Sequence, residues 1–178
     1  METALFLIFL QFQVHAQLLT SSQKKEWRKE LKAMEHTDQY YRKMMVDSPE
    51  LENDSIWKLQ TALDSINKVN FIVLTQRYGY PSQKNIGREA SIGLILHFTN
   101  EHDFHTLKEL FKAELEKGNM LPEYYAWWFD RCQRNMDKPI YFGPYTNDEF
   151  CGETLRLYNE RRREIGLKEL EGKITCED

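Results

Sequence analysis

The fold class is decided by one stretch of the chain, DSIWKLQTALDSINKVNFIVLTQRYGYP, which spans residues 54–81. Its large residues recur every three or four positions, which is the spacing of one face of an α-helix. Asn53 or Asp54 can cap the start. Gly79 and Pro81 end the helix, because glycine accepts a left-handed backbone and proline cannot continue the hydrogen-bond ladder. We therefore predict a helix to about residue 78 with the stripe Ile56, Leu59, Leu63, Asn67, Phe71 and Leu74.

The same spacing occurs before this stretch. A first helix, capped by Ser21 or Ser22 and reaching about Val46, is expected there. Pro49 separates it from the second helix, since proline breaks a helical ladder. The apolar stripe of the first helix consists of Trp27, Leu31, Met34, Tyr41 and Met45.

Further helices are expected after residue 81. A short, largely buried one covers about residues 85–98, and Asp103 can cap the next. Pro122 suits the first turn of another, and a last helix over about residues 154–165 ends at Gly166. Residues 139–145 are too apolar for a solvated loop and too proline-rich for a helix, so we expect a short extended or hairpin segment. The sequence thus predicts an all-α fold, a single helical-bundle domain of about five to six helices over residues 17–178.

The first sixteen residues have the order of a secretory signal peptide. A run of apolar residues from Ala4 to Leu10 precedes the small-residue site Val14-His15-Ala16. The run is too short for a membrane span, which needs about 20 apolar residues. We expect residues 1–16 to be removed, the protein to be secreted or periplasmic, and the mature chain to have no membrane span.

The composition is that of a globular domain, with 41% hydrophobic and 13% aromatic residues. A net charge of −4 argues against a nucleic-acid partner, which requires a strong positive excess. The one basic run, residues 161–163, lies between glutamates and is typical of a solvated helix face. Cys132 belongs to an aromatic-rich helix and should be buried, so Cys151 and Cys176 are the expected disulfide pair of an exported protein.

Polar residues interrupt the apolar stripes at two places. Asp38 lies on the stripe of the first helix, with Arg42 one turn later on the same face. A buried carboxylate is costly unless it is paired, so a structural ion pair is the simplest interpretation. Asn67 lies on the second stripe, three residues after Asp64. Polar side chains that converge from several helices are also how bundles build cofactor and metal sites.

Five short blocks of the sequence match the pattern of one family. They are Asp38-Gln39-Tyr40-Tyr41-Arg42; Asp64-x-x-Asn67 followed by Gly79-Tyr80-Pro81; Ile86-Gly87 with Ala90 and His97; Asp130-Arg131 followed by Lys138-Pro139 and Phe142-Gly143; and Arg161-Arg162 with Gly166-Leu167. With these blocks in this order over residues 30–170, the chain resembles an uncharacterised bacterial family, domain of unknown function 6624. The resemblance implies a helical domain common in bacteria, and it implies no activity.

The chain departs from the family pattern in two places. The family's usual Tyr-Gly-Thr-Gln is replaced here by Phe142-Gly143-Pro144-Tyr145, and the glutamine that usually precedes the histidine is Leu96. If that turn supplies polar ligands in members of the family, this chain lacks them.

The polar residues of these blocks form the predicted binding site. Asp130 and Arg131 more often tie down an adjacent loop, here residues 138–145, and His97 at the end of an apolar run is more often a satisfied core histidine. Alternatively, the polar residues of the blocks form a site, because they come from four predicted helices and their side chains can converge. The predicted set is Asp38, Gln39, Arg42, Asp64, Asn67, His97, Asp130 and Arg131.

Three functions are compatible with this set. The first is a module that binds a small molecule or a protein. The second is a hydrolase with His97 and Asp130 as candidate catalytic residues. It would use His97 as general base, or a water activated by a metal held by Asp38, Asp64, His97 and Asp130. The third is a structural envelope protein. The sequence contains no His-Glu-x-x-His or Gly-x-Ser-x-Gly motif, so we assign no metal, name no cofactor, and rank binding above catalysis.

Overall fold

The computed structural model describes residues 18–51, 54–143 and 152–171. All regular structure in these ranges is helical, which confirms the predicted all-α fold. No helix within them is long and apolar enough to cross a membrane. The helices are α1 (Ser21–Asp47), α2 (Asp54–Tyr78), α3 (Gln83–Ile86), α4 (Ile92–Ile95), α5 (Glu101–Glu116), α6 (Pro122–Asn135) and α7 (Gly152–Glu164), with a 3-10 turn at Pro49–Leu51.

Helix α1 is capped by Thr20, so the predicted cap at Ser21 or Ser22 was wrong. The Thr20 hydroxyl accepts the N–H of Gln23 at 3.3 Å, and the Gln23 side chain accepts the N–H of Thr20 at 2.8 Å. This reciprocal cap needs a glutamine or glutamate three residues after the capping residue, and only Thr20 has one. The buried residues of α1 are Trp27, Leu31, Met34, Asp38 and Met45, which matches the predicted stripe except that Tyr41 is only half-buried.

Helix α2 buries Asn67 and Phe71 of the predicted stripe, but its buried face is rotated away from Leu59. Leu59 is 48% exposed, whereas Gln60 is completely buried. The Gln60 amide accepts the N–H of Tyr41 at 3.2 Å and donates to the carbonyl oxygen of Asp38 at 3.0 Å. A hydrogen-bonded amide can be buried at little cost, so α2 turns its polar groups toward α1 and leaves the leucine outside. The buried face of α2 consists of Gln60, Asn67, Phe71, Thr75 and Tyr78.

The helix predicted over residues 85–98 is replaced by two single turns, α3 and α4. Gly87 ends α3 with φ of 77°, a left-handed conformation that suits glycine. Between the turns, Arg88 pairs with Glu35 of α1 at 2.7 Å, and the same carboxylate accepts the N–H of Ser91 at 2.9 Å. These contacts hold the intervening residues out of a helix. For this reason the described ranges contain seven α-helices rather than five to six.

An aromatic core fixes the turn that follows α4. The indole N–H of Trp128 donates to the carbonyl oxygen of Phe98 at 2.7 Å, so the backbone next to His97 is anchored to α6. Phe98 is in turn part of a cluster around Phe71. Ring centroids 5.7–6.3 Å from that of Phe71 belong to Trp27, Tyr80, Phe98 and Phe111.

Helix α5 begins at a cap other than the predicted Asp103. The Asn100 side chain accepts the N–H of Asp103 at 2.8 Å, as a capping residue three positions upstream should. Asp103 itself is buried and forms an ion pair with Lys68 of α2. The carboxylate therefore joins two helices instead of capping one.

The segment after α6 is held from both sides. The Asp130 carboxylate accepts the N–H of Tyr141 at 2.7 Å and that of Phe142 at 3.0 and 3.1 Å. Arg161 and Arg162 of α7 donate to the carbonyl oxygens of the same two residues, at 3.0 and 3.2 Å. The expectation of a solvated basic face was therefore wrong for Arg162, which is 5% exposed.

Several smaller predictions are confirmed. Pro122 lies in the first turn of α6, Gly166 has φ of 73° directly after α7, and Cys132 is buried. Residues 139–143 are non-helical as expected, but they form no strand, so the expected hairpin is not confirmed in the described part of that segment. Other predictions fall outside the described residues: the signal peptide at residues 1–16, Pro144, Tyr145, and the Cys151–Cys176 disulfide.

Candidate functional site

The candidate site lies where α1 meets the turn after α4. His97 in that turn has its Nδ1 2.6 Å from Oδ1 of Asp38 on α1. The Asp38 side chain is 2% exposed and that of His97 is 20% exposed. A buried carboxylate therefore holds one side of an imidazole that reaches the surface.

The pKa of Asp38 decides where the shared proton lies. Burial raises this pKa, but the hydrogen bond and charge of His97, the amide of Gln39 and the charge of Arg42 outweigh burial and leave it lowered. Gln39 Nε2 donates to Asp38 Oδ2 at 2.6 Å. An ionised carboxylate only accepts hydrogen bonds, so the proton is on Nδ1. His97 contributes a charge only while both ring nitrogens carry a proton; when the ring is neutral, its one proton is on Nδ1 and Nε2 is an acceptor.

Arg42 binds two carboxylates at once. Its NH1 lies 3.1 Å from Asp38 Oδ1 and 3.0 Å from Asp64 Oδ1, and its NH2 lies 2.6 Å from Asp64 Oδ2. NH1 also donates to the backbone carbonyl of Asp38. The planar guanidinium matches such acceptors with fixed geometry. The ion pair expected between Asp38 and Arg42 is present, and it extends to Asp64 on α2.

Gln60 is a member of this network that sequence reasoning missed. Its Nε2 donates to Asp64 Oδ1 at 2.8 Å in addition to its contacts with α1. Gln60 lies four residues before Asp64, so both side chains share one face of α2. That spacing could have identified Gln60 from the sequence. The apolar pattern instead placed the neighbouring Leu59 on the buried stripe.

Asp38, Asp64 and His97 are also a candidate metal-binding set. Their ligand atoms lie within 4.8 Å of one another, and carboxylate oxygen with imidazole nitrogen suits several divalent metals. However, the Arg42 guanidinium bridges both carboxylates. A divalent cation would have to displace it, so the donor arrangement fits an ion-pair network better than a metal centre.

Three of the eight predicted site residues lie outside this cluster. Asn67 joins α1 to α2, since Thr37 donates to its Oδ1 at 3.0 Å and its Nδ2 donates to the carbonyl of Met34 at 3.2 Å. Asp130 is engaged with the backbone of residues 141–142, which fits the loop-holding alternative. Arg131 is exposed. The five that come together are Asp38, Gln39, Arg42, Asp64 and His97.

The exposed edge of the cluster determines what it can contact. Arg42 and Asp64 have side chains 18% and 19% exposed, and Gln39 is exposed. Two carboxylates face one guanidinium, so the cluster is net negative when the His97 ring is neutral. It offers acceptors at Asp64, at Gln39 Oε1 and at His97 Nε2.

Comparisons with protein-family models, with curated proteins and with solved structures found no match for this chain. The resemblance to domain of unknown function 6624 stays a prediction. The function is therefore inferred from the geometry of the cluster.

Proposed function

We propose that this chain is an exported binding module whose Asp38–His97 site takes a small polar ligand or a polar group of a partner protein. One observation carries the proposal. Asp38 holds Nδ1 of His97, while Nε2 of this partly exposed ring has no hydrogen-bond partner among the described residues. A histidine held in this way has one hydrogen-bonding atom left for a ligand.

The charge of the cluster indicates the class of ligand. A net negative cluster disfavours an anion. His97 Nε2 accepts a hydrogen bond from a hydroxyl or an amino group, and Asp64 and Gln39 add acceptors at the rim. We therefore propose a neutral or cationic ligand that carries hydroxyl or amino groups, such as a sugar, a polyol or an amine.

The contacts within the network support a binding role for His97 in particular. A satisfied polar network can also serve only to fix the register of a bundle. Arg42, Gln60 and Asn67 already join α1 to α2. His97 takes no part in those contacts between α1 and α2, and it brings a partly exposed ring to the cluster.

A hydrolase is the second candidate, and the same pair favours it. A carboxylate that orients a histidine is the arrangement by which histidine acts as general base. In that mechanism Nε2 of His97 takes a proton from a water whose oxygen attacks a carbonyl carbon, and the ring then returns the proton to the leaving group. Asp130, the other candidate catalytic residue, is occupied with the backbone of residues 141–142.

Ligand-observed NMR with a library of sugars, polyols and amines tests the proposal on wild-type protein and His97→Asn. The asparagine amide can donate to Asp38 as Nδ1 does, but it offers nothing in place of Nε2. We expect hits with the wild type that disappear in His97→Asn, while the free energy of unfolding changes by about 1 kcal/mol or less. His36→Asn, an exposed histidine on α1, is the matched control and should keep every hit.

The outcomes separate the three functions. Hits that survive in His97→Asn would contradict a binding site at His97 and place the binding elsewhere on the protein. A wild-type protein without hits would contradict the binding function and favour a purely structural protein. Hydrolysis of p-nitrophenyl acetate that is lost in His97→Asn and kept in His36→Asn would favour the hydrolase.

The proposal also places the protein in the periplasm or outside a bacterial cell. The support is the apolar run followed by Val14-His15-Ala16 in the sequence. N-terminal sequencing of the protein from its native cells should begin at Gln17. A protein that keeps Met1 and stays in the cytoplasm would contradict export.

A further inference from the structure

A groove of about 560 Å³ lies between α5, the start of α6, residues 141–142 and the end of α7. This volume is within the range of small-ligand sites, about 300–1,000 Å³. None of the residues of the Asp38–His97 site lines it. The groove and that site therefore share no lining residue.

The floor of the groove is aromatic. The Phe129 ring centroid lies 5.2 Å from that of Tyr141 and 5.4 Å from that of Phe142, and Tyr125 lies 6.0 Å from Phe142. Asp130 fixes the backbone of Tyr141 and Phe142 from behind. Because the floor is formed before any ligand arrives, binding costs little ordering of the protein.

The charged residues of the groove are ordered along α5. Lys108, Lys112 and Glu116 follow one another at intervals of four residues, so the first and last are about 12 Å apart along one helix face. Glu164 adds a second carboxylate from α7. In the described part of the chain none of these four side chains forms an ion pair, and the Lys108 ammonium lies over the Phe104 ring at 5.7 Å. The groove thus has a basic end, an aromatic floor and acidic groups.

We propose that this groove binds a short apolar peptide with free termini. Its C-terminal carboxylate lies by Lys108 and Lys112, its side chains lie on the aromatic floor, and its terminal ammonium lies by Glu116 and Glu164. An extended chain spans about 3.3–3.6 Å per residue, so about 12 Å corresponds to three or four residues. The two charges of such a peptide complement the groove, whereas a fatty or aromatic acid would leave the glutamates without a partner.

Isothermal titration calorimetry on the intact protein tests this with the tripeptide Phe-Leu-Phe, its C-terminal amide and its N-acetyl form. We expect the tripeptide to bind and each blocked form to bind about twofold to fivefold more weakly, the range for losing one partly exposed ion pair. Triglycine, which has both termini but no side chains, should not bind. No binding of Phe-Leu-Phe at millimolar concentration, or equal binding of all three forms, would overturn the proposal.

Two variants assign the charges. Lys108→Gln with Lys112→Gln should reduce the affinity for the tripeptide to that for its amide, and leave the amide unchanged. Lys25→Gln with Lys29→Gln, two exposed lysines with the same spacing on α1, is the control and should have no effect.

The acidic side of the groove and its independence are tested in the same way. Glu116→Gln with Glu164→Gln should remove the difference between the tripeptide and its N-acetyl form. If the N-acetyl peptide binds the wild type as tightly as the tripeptide does, the terminal ammonium is not recognised. The proposal of a peptide would then be wrong, and an apolar acid would be the better ligand. His97→Asn should bind the tripeptide like wild type, so failure of this proposal is distinct from failure of the proposed function.

Discussion

His97 Nδ1 and Asp38 Oδ1 lie 2.6 Å apart, and this contact joins the turn after α4 to the buried face of α1. The same carboxylate also accepts from Gln39 and Arg42. Asp38 is therefore the residue on which the surface imidazole and the inter-helix ion pairs both depend. Its charge should matter for stability and for the site alike.

Stability should decrease in acid through Asp38. Its pKa in the folded protein is below the ordinary 3.8, because bonds and charges from His97, Gln39 and Arg42 outweigh burial. Asp38 therefore stabilises the fold above about pH 4, and this contribution disappears as the pH falls through the lower folded value. Urea unfolding of wild type and Asp38→Asn between about pH 2 and pH 6 measures it. Wild type should lose more stability than the variant, and identical pH profiles would contradict the assignment.

The Asp38–Arg42 pair should appear as a coupling energy. Asp38→Ala and Arg42→Ala should each cost free energy near the low end of about 3–5 kcal/mol, since Arg42 is 18% exposed. Arg42→Ala should cost more, because it leaves Asp38 and Asp64 together without a cation. The double variant should cost clearly less than the sum. Thermal melts of the three proteins decide this, and additive, near-zero effects would refute the structural pair.

The register of α2 predicts a large loss of stability at Gln60 and almost none at its neighbour Leu59. Gln60→Ala should cost about 1–3 kcal/mol, because it leaves buried polar groups on α1 and α2 without a partner. Leu59→Ala, at a position 48% exposed, should change stability by about 0.5 kcal/mol or less. Chemical denaturation measures both. A larger cost at Leu59 would restore the register that the apolar pattern predicts.

Asp130→Ala should release the segment after α6. The N–H groups of Tyr141 and Phe142 lose their acceptor, so their hydrogen exchange should become faster, at a cost of about 1–3 kcal/mol for an unsatisfied buried donor. Arg131→Ala, the exposed neighbour, is the control and should leave both amides protected. Unchanged exchange in Asp130→Ala would show that the arginines of α7 hold the segment alone.

The sequence predicts those features that depend on local chemistry. Asp38 stands out because it is a charge on an otherwise apolar stripe, and Arg42 follows at the spacing of one turn. Gly79 and Gly166 mark helix ends because a left-handed backbone suits glycine. Such features need only residues within a turn or two of one another.

Features that depend on distant contacts could not be predicted in the same way. Gln60 is buried because it bonds to the backbone of α1, which no apolar pattern shows. His97 meets Asp38 across 59 residues because the chain between them is bent by distant contacts, those of Glu35 with Arg88 and Ser91 and that of Trp128 with Phe98. The predicted single helix over residues 85–98 would have placed the imidazole elsewhere.

The ring nitrogens of His97 give the most direct test that Asp38 holds this imidazole with Nε2 available to a ligand. Long-range proton–nitrogen NMR of wild type, at alkaline pH where imidazoles are neutral, should show a protonated Nδ1 and an unprotonated Nε2. A sugar, polyol or amine that binds should then shift the Nε2 resonance and leave Nδ1 bonded to Asp38. A ring protonated at Nε2, or an Nε2 signal that no bound ligand changes, would contradict the account.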